Sequence, residues 1–102
     1  MSYTRIIEWE DGYPTNESLE RLWEAVIDHE NSADCIRAEL VECTAHCCAS
    51  YSEEPETQRV MFSTGGWSGA EELIAIMLGR VWIRQRHLEW RRGGHYLFDL
   101  RP

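Results

Sequence analysis

The chain has no lysine; all ten of its basic residues are arginine. It has only three prolines and two phenylalanines. No stretch approaches the ~18 consecutive apolar residues that a membrane-spanning helix needs. The first ten residues, Met1 to Glu10, lack the basic start, apolar core and small-residue cleavage site of a signal peptide, so export is not expected. There is no CxxC pair, no GxSxG and no GxxxxGK followed by Ser or Thr. These gaps argue against a membrane protein, a CxxC-type zinc or redox site, a nucleophile elbow and a P-loop. What remains is a chain of 102 residues with 43% hydrophobic, 27% charged and 11% aromatic residues. Those values suit one globular domain spanning residues 1–102 and argue against disorder.

Charge is unevenly spread. The net charge is −8. Residues 1–56 hold fourteen acids and three bases, and residues 57–102 hold four acids and seven bases. An acidic protein has no global field that favours a phosphate backbone, so direct nucleic-acid binding is disfavoured. Its acidic half can instead approach a basic surface, such as the nucleic-acid channel of another protein. The alternative is that acids on amphipathic helices simply solvate them. The all-arginine usage fits either a codon bias or a selection for bidentate contacts.

The four cysteines, Cys35, Cys43, Cys47 and Cys48, lie within fourteen residues. They are too clustered to staple distant parts of a chain, and reduced thiols are expected. Cys43 and Cys47 share a helical face, but a metal site there needs further ligands from elsewhere, such as His95. Buried structural thiols are the expectation, with no metal and no cofactor.

Periodicity sets the elements. Residues 3–9 are β-prone, and Asp11-Gly12-Tyr13-Pro14 is a turn. Thr15 or Asn16 caps a first helix over Ser18 to Asp28, with Leu19, Leu22, Trp23, Val26 and Ile27 on its apolar stripe. After a polar break at His29–Ser32, a second helix capped by Ser32 or Asp34 carries Ile36, Leu40, Cys43 and Cys47 to near Ser50. Tyr51–Glu56 reads as a loop, with Pro55 disfavouring helix before it. Thr57–Thr64 reads as a strand, and Ser68 with Glu71 has capping-box spacing for a third helix that Gly79 stops. The segments 81–90 and 95–100 read as a β-hairpin, with Tyr96, Phe98 and Leu100 on one face. The fold class expected is α+β: about three helices on one face of a small antiparallel sheet that ends in a C-terminal hairpin.

Two segments are candidate sites. Ser63-Thr-Gly-Gly-Trp-Ser-Gly-Ala-Glu-Glu72 places a glycine-rich turn before a helix, like a phosphate cradle in outline. Glu71 and Glu72 in the first helical turn oppose a bound anion and complement the helix dipole instead. The candidate binding residues here are Gly65, Gly66, Trp67 and Ser68, with Trp67 either a plug over the core or a contact residue. The second segment, Arg91-Arg-Gly-Gly-His-Tyr96, adds Arg91, Arg92 and His95 as a possible anion site or a solvated turn. His46 and His87 read as ordinary surface or core-edge histidines. No Ser–His–Asp or Cys–His–Asn set can be assembled, nor does a carboxylate pair among Glu8, Glu10 and Asp11 stand out from an ordinary acidic turn. The chain is therefore read as non-enzymatic.

At Thr64–Ile74 and Arg92–Phe98 the chain resembles a group of small proteins of tailed bacteriophages that share a TGGWSGxExLI segment and an RxGGHYxF end. The likeness covers roughly residues 60–100 and brings no established activity with it. It implies a phage or prophage source and action in the host cytoplasm. Together with size, acidity and nine Trp or Tyr residues, it gives the first functional expectation. This is an accessory protein that binds a host or phage protein, including as an inhibitor of a host defence system such as CRISPR. The second is a small-molecule or nucleotide binder, a sponge for a nucleotide signal, using the glycine-tryptophan loop and the arginine-rich hairpin. Homo-oligomerisation is compatible with both.

Overall fold

The computed structural model describes residues 3–26 and 31–101. Short strands β1 (Trp9–Glu10) and β2 (Tyr13–Pro14) open the fold as a hairpin. Its turn residues Asp11 and Gly12 both adopt positive φ, 52° and 83°, the conformation that a tight two-residue hairpin needs. Helix α1 (Asn16–Ala25) starts at once, because the Thr15 hydroxyl accepts the Ser18 N–H as an N-cap. Helix α2 (Ser32–Thr44) follows, then strands β3 (Ser50–Glu54) and β4 (Arg59–Ser63), helices α3 (Ser68–Leu78) and α4 (Val81–Arg86), and strands β5 (His87–Arg91) and β6 (His95–Asp99). The last four strands form one antiparallel sheet in the order β3-β4-β6-β5. The fold class is α+β, with the C-terminal hairpin in place.

The sheet buries one face. Val60 and Phe62 of β4 pair with Phe98 and Tyr96 of β6, and these four residues meet Leu22, Ile36, Leu40, Leu73, Ile74 and Met77 in the core. The intervening residues Met61, Ser63, His95 and Leu97 point to the other face and are half-buried or exposed, as a period of two requires.

Several local expectations are corrected. Residues 3–8 have no strand partner among the described residues. Their backbone is held by Glu39, whose buried Oε2 accepts the Tyr3 hydroxyl at 2.6 Å and the Ile6 and Ile7 N–H groups at 2.7 and 3.4 Å. Helix α2 starts after Asn31, without a side-chain cap, and ends at Thr44 rather than near Ser50. Residues 50–54 form an edge strand, not a loop. Residues 81–86 form a helix, so the first strand of the C-terminal hairpin is only His87–Arg91. Ser68 is the first residue of α3 and not its cap; that place is taken by Trp67. Gly79 does end α3, but at φ −71°. Its small size matters because a Cβ there would lie 2.6 Å from the Trp23 ring. Ile27 and Asp28 of the expected first helix, and the break at His29–Glu30, lie outside the described residues.

Candidate functional site

The two glycine-rich segments meet. Thr64, fully buried, donates its backbone N–H to Gly94 O at 3.0 Å, which ties the β4–α3 loop to the β5–β6 turn. The Thr64 hydroxyl donates to Glu71 Oε2 at 2.5 Å and accepts the Gly66 N–H at 3.2 Å. Tyr96 donates its hydroxyl to Glu71 Oε1 at 3.2 Å. Burial first, and then the Glu71 charge, push the Tyr96 hydroxyl above its usual range. Glu71 thus joins loop, helix and sheet, and with Trp67 rather than Ser68 at the N-cap no capping box forms.

Glycine is required here by geometry. Gly65 and Gly66 sit at φ 65° and 78° in the turn closed by Trp67 N–H to Thr64 O at 3.1 Å. A Cβ on Gly94, at φ 79°, would fall 2.0 Å from Thr64 Oγ1 and 2.8 Å from Glu71 Oε2. The space beside Gly94 is therefore filled by the protein's own threonine and glutamate, whereas the space beside Gly66 is open.

Trp67 points away from this node, towards the β1–β2 hairpin. Its indole N–H donates to Gly12 O at 2.5 Å, and its ring lies 5.2 Å from that of Tyr13. Gly69 makes room for the contact, since a Cβ there would stand 2.5 Å from Gly12 O. On the far side, the Trp9 ring stacks on His46 at 5.2 Å. The hairpin is held from both sides.

The remaining candidates do not converge on that loop's outer surface. His95 Nδ1 hydrogen-bonds Ser63 Oγ at 2.6 Å on the open face of the sheet, and among the described residues no carboxylate bonds its other ring nitrogen. Arg91 pairs with Glu89 at 2.6 Å, and Arg92 is exposed. Cys43 and Cys47 have their sulfurs 3.6 Å apart, and burial raises the Cys43 thiol well above its usual range. No group of three or more metal-ligating side chains occurs among the described residues.

Sequence reasoning pointed to the acidic half as a partner surface but named none of the residues that the hairpin and α1 present there. Glu10, Asp11, Glu17, Glu20 and Glu24 are exposed, and among the described residues none of them has an ion-pair partner. Tyr13 and Trp23 are each 41% exposed in their midst. Two open clefts adjoin at Asn16: one is walled by Glu10, Tyr13 and Glu17, the other by Glu20, Trp23 and Ile76. Trp23 is seated by the Arg80 guanidinium, 4.9 Å from its ring centre, and Arg80 is itself tied to Val26 O at 2.9 Å. The missed signal was the Glu17, Glu20, Glu24 spacing, which places three acids along one stripe of α1.

No protein-family model matches the chain, and neither curated proteins nor solved structures give a match. Among the described residues no helix is long and apolar enough to cross a membrane.

Proposed function

We propose that this chain is a small non-enzymatic phage accessory protein that acts by binding another protein, and that the β1–β2 hairpin and α1 form its binding face. The observation that carries the reading is a set of five exposed acids, without ion-pair partners among the described residues, around two half-exposed aromatic rings, carried by α1 and by a hairpin that Trp67 latches from behind. Aromatic residues supply the anchoring area in most interfaces, and charges around them choose the partner. A basic protein surface is the complement. Among such surfaces the nucleic-acid channel of a host defence effector, of the CRISPR kind, fits a protein that carries the charge sign of nucleic acid.

The glycine-tryptophan loop then serves as a brace, not as a ligand cradle. The nucleotide-binder alternative finds less support, because Glu71 sits where a phosphate would need to approach and Arg91 is engaged by Glu89.

The test is affinity capture from a bacterial lysate with the wild-type chain and with Glu17→Gln/Glu20→Gln/Glu24→Gln, at low and high salt. The expected result is a basic protein retained by the wild type at low salt, and lost in the variant and at high salt. Equal capture by both chains refutes this face as the binding surface.

A further inference from the structure

The two edges of the main sheet differ in how they meet solvent. The β3 edge is polar, with Ser50, Ser52 and Glu54 exposed and Pro55 just beyond it, features that discourage pairing with another strand. The β5 edge carries two large hydrophobic residues beside its charged Glu89 and Arg91. Trp90 is 56% exposed and Leu88 is 50% exposed. Leu88 is extruded by the bulge between His87 and Glu89, while Glu89, Trp90 and Arg91 stay in regular register with Leu97, Tyr96 and His95. Among the described residues β5 pairs with β6 alone, so the outward backbone groups of 89–91 have no strand partner.

We infer that β5 pairs antiparallel with β5 of a second copy of this chain, about a two-fold axis at Trp90. Charge complementarity selects both the occupant and the register. A two-fold axis normal to the sheet must pass at one residue, which then faces itself. Centred on Glu89, the pairing sets Glu89 against Glu89 and His87 against Arg91. Centred on Trp90, it sets Glu89 against Arg91 twice, on the open face, and stacks the two Trp90 rings on the helix side. Directly opposed unlike charges and aromatic pairs are the favourable cross-strand contacts, and opposed like charges are unfavourable. The Glu-Trp-Arg triplet is thus complementary to itself in that one register. The Glu89–Arg91 contact of 2.6 Å within one strand becomes part of a four-charge cluster, and the two four-stranded sheets become one of eight strands. This surface is separate from the acidic face, so either can fail without the other.

The experiment is sedimentation velocity on the full chain at tens of micromolar, for the wild type, Glu89→Arg, Arg91→Glu and an equimolar mixture of the two variants. The wild type is expected at twice the 12.0 kDa chain mass. Each variant alone opposes like charges at both positions and should dimerise about tenfold more weakly or worse. The mixture opposes unlike charges at every position and should recover the dimer. Amide hydrogen exchange on the wild type serves as a check that needs no variant: residues 89–91 should exchange more slowly as concentration rises. A wild type that stays monomeric, exchange at 89–91 that ignores concentration, or single variants that dimerise as well as the wild type would overturn the proposal.

Discussion

The acidic face and the β5 edge each expose two half-exposed large hydrophobic residues: Tyr13 and Trp23 on one, Leu88 and Trp90 on the other. They differ in what surrounds that area. On the acidic face the five exposed acids share one sign, and Trp67 and Arg80 fix the rings from behind. At the β5 edge backbone groups are open and charges of both signs alternate. A surface of one sign suits an unlike partner. A surface of both signs with an unfinished backbone suits a copy of itself. The same physical ingredient, exposed hydrophobic area, thus leads to two kinds of contact.

Both surfaces hang from one core, and that shared dependence can be broken first. Phe62→Ala removes a fully buried ring and is expected to cost about 3–5 kcal/mol. Urea unfolding followed by tryptophan fluorescence and by circular dichroism should shift together; a shift in only one signal would mean that the two regions fold independently. Next in size is Gly94→Ala, which forces a Cβ into Thr64 Oγ1 at positive φ, at an expected cost of about 2–4 kcal/mol. Gly66→Ala is its control. It shares the positive φ but has open space around the new carbon, so about 1 kcal/mol is expected. Equal losses in thermal melts would show that φ alone matters and that the Thr64 contact does not.

The pH dependence separates the core from both surfaces. Burial pushes the Cys35 thiol from its ordinary 9.0 up to about 12. A group whose pKa is raised on folding contributes stability that is complete below its unfolded value and is lost as pH rises through the folded value. Stability should therefore fall between about pH 9 and 12, by up to ~1.4 kcal/mol per pH unit for this one proton. Cys35→Ala should flatten that part of the profile in urea titrations; an unchanged slope would assign it to other groups. The smallest effect on stability is expected from Glu17→Gln/Glu20→Gln/Glu24→Gln, within ~0.5 kcal/mol by thermal melting. A large loss would mean that these acids hold the fold and not a partner.

How far the sequence alone reaches can be seen element by element. The period of 3.6 in Leu19, Leu22 and Val26, and the period of two in Tyr96, Phe98 and Leu100, were legible because each element buries one face against the core. Strand β3 was not, because an edge strand with polar outward residues has almost no apolar signal. Helix α4 was hidden by Val81, Trp82 and Ile83, residues of strand propensity that the core overrides by burying Trp82 and Ile83 side by side. Residues 3–8 have strand propensity but no strand to join among the described residues, and Glu39 takes the Ile6 and Ile7 N–H groups instead. At the candidate site the glycines were readable as turn residues. That Gly94 lies against Thr64, and Trp67 against Gly12, was not, since those contacts span tens of residues and no local pattern marks them.

Trp67 braces the acidic hairpin, and amide hydrogen exchange of Trp67→Phe tests this most directly. That substitution keeps an aromatic ring and removes the N–H donated to Gly12 O. The account predicts faster exchange confined to residues 9–15, with protection in β4 and β6 unchanged. Unchanged exchange in the hairpin, or a loss of protection spread evenly through the sheet, would contradict it.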